Sequence, residues 1–153
     1  METNNTATNK ISDDTIKLLR ECDAGIKMGI EAINEVINNV KDSKLKKSLT
    51  DSRDKHDRLQ EEADELLKEY KDAGKDPSMM AKGMSWLKTN MKMTMDSSDG
   101  TVADLITDGC DMGVKSLYRY LNQYKTANDK AKNLANKIIE EEEKLRREMR
   151  EYL

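Results

Sequence analysis

Residues 43–70 read SKLKKSLTDSRDKHDRLQEEADELLKEY, and the spacing of the apolar residues within them decides the fold. Leu45, Leu49, Ser52, His56, Leu59, Ala63, Leu66 and Tyr70 recur at alternating steps of four and three, which lines them along one side of a helix. The stripe is apolar except for Ser52 and His56. A long amphipathic helix therefore carries two polar members in its seam. Lys41-Asp42-Ser43 supplies a break and a fresh N-cap ahead of it, and Ala73-Gly74 with Pro77 beyond predicts its end.

Working outward, Ser12-Asp13-Asp14 caps an earlier series of the same kind: Ile16, Leu19, Cys22, Ile26, Ile30, Ile33, Ile37 and Val40. Beyond Pro77 a shorter helix over 78–96 carries Met80, Met84, Leu87 and Met91 on one stripe and Met79, Trp86 and Met93 on another. Asp96-Ser97-Ser98-Asp99-Gly100 breaks the chain again. Val102, Ile106, Cys110, Gly113, Leu117, Leu121 and Tyr124 then mark a third long helix. After a turn near Thr126–Asp129, a fourth follows on Ala131, Leu134, Ile138, Glu141, Leu145 and Met149. The expected architecture is all-α: an antiparallel four-helix bundle, with helices A 13–41, B 43–73, C 101–126 and D 129–152. A short fifth helix, 78–96, lies in the crossover between B and C. Each long helix has ~24–30 residues, hence ~36–45 Å. Residues 1–11 are polar and read as a disordered tail ahead of a single domain over 12–153.

The two halves echo each other. Cys22-Asp23-Ala24-Gly25-Ile26-Lys27 returns in helix C as Cys110-Asp111-Met112-Gly113-Val114-Lys115, and Ile33-Asn34 returns as Leu121-Asn122. Two related hairpins joined by a long crossover is the logic of ferritin-like bundles. Gly25, Gly29, Gly109 and Gly113 fall inside helices, where each costs ~1 kcal/mol against Ala. Close helix approach is the expected compensation, with a ligand groove above them as the alternative.

Composition narrows the function classes. At 153 residues the chain suffices for one continuous core. Charged residues make up 37% and aromatics 4%, so the core must be aliphatic and Met-filled. A net charge of -3 with interspersed signs gives no basic footprint for nucleic acid. No apolar run reaches the ~18–20 residues needed for membrane insertion, and the N-terminus lacks the apolar region of a secretory signal. Two cysteines make no disulfide framework. Reduced, buried Cys22 and Cys110 in a cytoplasmic protein are expected.

The order of features also resembles a known family. Cys22-Asp23-Ala24-Gly25 leads through Asn39-Val40-Lys41-Asp42-Ser43-Lys44-Leu45 into Arg53-Asp54-Lys55-His56. Gly83-Met84-Ser85-Trp86-Leu87-Lys88 and Asp108-Gly109-Cys110-Asp111 follow. From about Ile11 to the end, this pattern resembles a bacterial family of ferritin-like four-helix-bundle domains of unknown function. The resemblance implies the fold and supplies no activity.

Ferritin-like oxidases need carboxylates from two helices and Glu-x-x-His from each of the other two. His56 is the only histidine, and Arg53 stands three residues before it. The paired-metal ligand set is therefore incomplete. What remains is a polar layer: His56 lies ~14 residues after the A–B turn and Glu141 ~13 after the C–D turn, at similar heights. A His56–Glu141 hydrogen bond or ion pair with Ser52 nearby, fixing helix register, is one reading. A partly exposed His56 without a partner is another. A single Zn or Fe ion on His56, Glu141 and Glu31 is the third.

The remaining candidates read as packing. Met91, Met93 and Met95 have sulfurs suited to Cu(I), but residues two apart on a helix diverge. Of Glu140-Glu141-Glu142-Glu143, only Glu141 is expected to turn inward. Met79, Trp86 and Met93 form a second stripe that needs cover, either under the 97–100 turn or by self-association as a dimer or larger. The expectation is a protein without cofactor or catalysis, structural, stress-related or binding an unknown protein partner. The alternative is a mononuclear metalloprotein using the His56 layer.

Overall fold

The computed structural model describes residues 3–72 and 98–153, with side chains from residue 13 onward. The expected crossover helix and its Met79/Trp86/Met93 stripe lie outside the described residues. The described elements are α1 (Thr3–Ile37), α2 (Ser43–Glu69), α3 (Asp99–Gln123) and α4 (Asp129–Met149), closed by a 3-10 turn, Arg150–Tyr152. There is no strand among the described residues. α1 packs against α2, α3 and α4, while α4 also packs against α2 and α3. The four helices thus form a bundle, with α1 and α4 meeting across its interior.

Helix α1 differs most from its expected limits. The cap cluster at 12–14 predicts a start at residue 13 and leaves 1–11 as a disordered tail, whereas the helix begins at Thr3. Once a helix is nucleated, each added residue gains a hydrogen bond, and nothing between Thr3 and Ser12 is Gly or Pro. Asp14 acts elsewhere: its carboxylate accepts from the Thr126 backbone N–H at 3.1 Å and from the Thr126 hydroxyl. Neighbouring Thr15, buried, accepts from the Asn128 N–H at 2.8 Å.

Helices α2 and α4 start where their caps predict. Asp42 accepts from the Leu45 N–H at 2.8 Å, and Asn128 accepts from the Ala131 N–H at 2.9 Å. Helix α3 begins slightly early, at Asp99, because Ser98 caps it. Asp99 in turn receives the Lys41 and Asp42 N–H groups at 2.8 and 3.0 Å, and Tyr152 donates to Asp42 at 3.0 Å. One end of the bundle is therefore tied by carboxylates accepting from exposed backbone.

Helix α2 stops at Glu69, before the expected limit at 73. Lys71 takes φ 55°, and the N–H groups of Lys71 and Asp72 bond the carbonyls of Lys68 and Leu67 at 3.0 Å each. This is a Schellman ending, normally given to glycine. Asp72 is held there by Arg20 of α1, through two contacts of 3.1 Å from Nε and one from the guanidinium terminus. The tertiary pair stops the helix three residues ahead of the glycine that the sequence offers.

Two apolar clusters make the core. One gathers Leu18, Cys22, Ile26, Leu59, Leu66, Leu117, Leu134 and Ile138; the other gathers Ile33, Val36, Leu45, Leu49, Val102, Ile106, Cys110, Leu145 and Met149. Between them lie the middle turns of all four helices. Replacing Lys71 with Gly should raise stability by about 1 kcal/mol by relieving the left-handed backbone, measured as a higher urea midpoint at unchanged slope.

Candidate functional site

The gap between the two apolar clusters holds the polar layer. Helix α2 places Ser52 and His56 there, at 2% and 1% exposure, because both fall on its four-three seam. His56 Nδ1 lies 2.8 Å from the Ser52 carbonyl, which can only accept, so Nδ1 carries a proton. The Ser52 hydroxyl is more distant, 3.5 Å from Nδ1. On the far side of the ring, Nε2 lies 3.4 Å from Glu142 Oε1, long for a charge-assisted bond.

The partner is Glu142, where the seam predicts Glu141. Both carboxylates are buried, but Glu142 makes the contact and Glu141 adds only charge at a distance. The reason is register. Helix α4 buries Ala131, Ala135, Ile138, Glu142, Leu145 and Met149, a strict four-three series matching that of α2. Leu134 is buried as well and draws a hydropathy reading one residue aside. Counting from the caps gives the right answer, because His56 and Glu142 each stand fourteen residues after Asp42 and Asn128. Glu31, half-buried on α1, is not a partner of His56.

Two glycines make room for the pair. A Cβ at Gly29 would sit 2.9 Å from His56 Nε2, and one at Gly113 would sit 2.8 Å from a Glu142 oxygen. Each polar side chain thus fills a notch in a neighbouring helix. Gly25 and Gly109 meet no described atom within 4 Å, so two of the four glycines make room, and they make it for polar side chains where close helix approach was expected.

Electrostatics favour a charged pair. Burial pushes the His56 pKa down, but the hydrogen bond and charge of Glu142, the Ser52 carbonyl and Glu141 together raise it above its ordinary value. Cys110 of α3 stands close enough to Glu142 to feel its charge. Burial first, and Glu142 second, push its thiol well up. Cys22, on the other side of the layer, is likewise buried, free and pushed up by burial. Neither is set up as a thiolate nucleophile.

Besides Glu142, sequence reasoning missed a second buried acid. Asp23 is fully buried and accepts from Lys27 Nζ at 2.8 Å and Gln60 Nε2 at 2.6 Å. Its repeat mate Asp111 is exposed and held by Arg146 at 2.7 Å. The signal was Lys27, one turn after Asp23 on the same face.

Elsewhere, an open groove of about 760 Å³ runs between α2 and α4 past Tyr118, lined mainly by charged side chains. The Lys137–Glu62 bridge, at 3.0 Å, joins two of its lining residues. Among the described residues no group of three His, Cys, Asp or Glu side chains is arranged to hold a metal. No described helix is long and apolar enough to cross a membrane. No protein-family model matches the chain, and neither the curated proteins nor the solved structures give a match.

The glycines provide a paired test. Gly29→Ala should destabilise by ~1–3 kcal/mol, because the imidazole is pinned by Ser52 and cannot yield. Gly113→Ala should cost less, since a carboxylate end can swing. Gly25→Ala should gain ~1 kcal/mol from helix propensity alone. Denaturant midpoints of the three variants decide it, and equal effects would deny the notches.

Proposed function

We propose that this is a non-catalytic, antiparallel, ferritin-like four-helix bundle, acting in the cytoplasm as a structural, stress-related or partner-binding protein. The observation that carries this reading is the use of His56. Both of its ring nitrogens are engaged within the chain, by the Ser52 carbonyl and by Glu142, so the interior layer spends its polarity on holding helices together. Every buried side-chain polar atom among the described residues also has a partner. The antiparallel arrangement is supported by contacts that run in opposite order along α1 and α2: Arg20 with Asp72, Asp23 with Gln60, Asn34 with Arg53.

Elemental analysis tests the non-metal part of this reading. Purified protein should carry Zn, Fe and Mn at background, unchanged in His56→Ala; a stoichiometric metal lost in that variant would overturn it. Self-association through Met79, Trp86 and Met93 belongs to the same proposal. In gel filtration, Trp86→Ala should elute as a smaller species than wild type, and a monomeric wild type ends that part.

A further inference from the structure

The buried layer connects two hairpins through one proton. His56 belongs to α2, which follows α1 across a short turn; Glu142 belongs to α4, which follows α3 in the same way. Nδ1 is committed to the Ser52 carbonyl, so only Nε2 can gain or lose a proton without breaking that bond. When Nε2 is protonated, an imidazolium faces a carboxylate. When it is not, a ring lone pair faces the same carboxylate, and two acceptors oppose each other inside the core.

The surroundings offer little to soften that opposition. On α1 Gly29 comes against the ring and brings no side chain of its own. On α3 the groups are Gly113, which brings no side chain, and the buried thiol of Cys110. On α4 they are Glu142 and Glu141, both acidic. Apolar clusters close the layer above and below.

We propose that this layer is a proton-operated clasp between the two hairpins, closed while His56 Nε2 carries its proton and weakened when rising pH removes it. The clasp rests on the reading of His56 and Glu142 as a pair that holds the bundle, and it does not depend on the absence of a reaction. Its sign follows from the carboxylate that faces Nε2, which favours the imidazolium and so raises the His56 pKa. A histidine whose pKa is higher folded than unfolded stabilises fully below the unfolded value, ~6.5, and that contribution is lost as pH rises through the folded value.

His56 is the only histidine, so its ring signals can be followed by NMR in the unmodified protein. The expected result is a titration midpoint above ~6.5. Urea unfolding from pH 5 to 9 should then show the folding constant of wild type falling by up to about tenfold per pH unit between ~6.5 and that midpoint. Glu142→Gln, whose amide can donate to neutral Nε2, should stay flat within about twofold over the same range. A His56 midpoint at or below ~6.5, or a wild-type folding constant that does not fall across it, would overturn the clasp. Both wild-type measurements decide the matter even if the variant fails to fold. A bound metal would sink the non-metal reading of the layer, whereas a flat pH profile sinks this one.

Discussion

The imidazole–carboxylate contact between His56 and Glu142 sits where an ordinary bundle would have leucine against leucine, and the rest of the interior is arranged around it. Burying two charges costs several kcal/mol per ion, and their attraction offsets this only with good geometry and further hydrogen bonds. Here the extra bond comes from the Ser52 carbonyl, which accepts from His56 Nδ1. The space comes from Gly29 and Gly113, whose cost as helix residues is accepted for the notch each provides. A pair of this kind contributes little net stability. It contributes strongly to register, because sliding α4 by one turn against α2 would leave both charges unpaired in an apolar core.

The ends of the bundle are fixed differently. At one end Asp42, Asp99 and Tyr152 tie the α1–α2 turn to the start of α3 and to the C-terminal turn. At the other, Asp14, Thr15 and Tyr70 hold the α3–α4 turn through Thr126 and Asn128. These contacts bond backbone donors and cap side chains at the turns, whose polar groups would otherwise need water. The chain thus has polar anchors at top, middle and bottom, with aliphatic packing between.

Much of this was legible in the residues. The α2 seam from Leu45 to Leu66 is buried at every expected position, because strict four-three spacing over seven residues leaves no competing face. Helix α4 was read nearly as well, yet the one position that mattered chemically was displaced from 142 to 141. There two buried stripes run side by side, and Leu134 outweighs Ala135 in hydropathy while Ala135 holds the matching register. The end of α2 was also misplaced, because Arg20 and Asp72 are 52 residues apart in sequence and no local rule couples them. Asp23 escaped notice for a related reason: its burial depends on Gln60 from the neighbouring helix.

The two hairpins are near-duplicates in layout, yet their equivalent central positions carry opposite characters, a base in one and an acid in the other. That asymmetry acts as a pairing rule. Two first hairpins brought face to face would bury two imidazoles with no carboxylate between them, and two second hairpins would oppose acid to acid, neither with a counter-charge in a dry interior. Only the unlike combination is neutralised. Two halves of similar layout would thereby be kept from pairing with copies of themselves, and one histidine suffices to tell them apart.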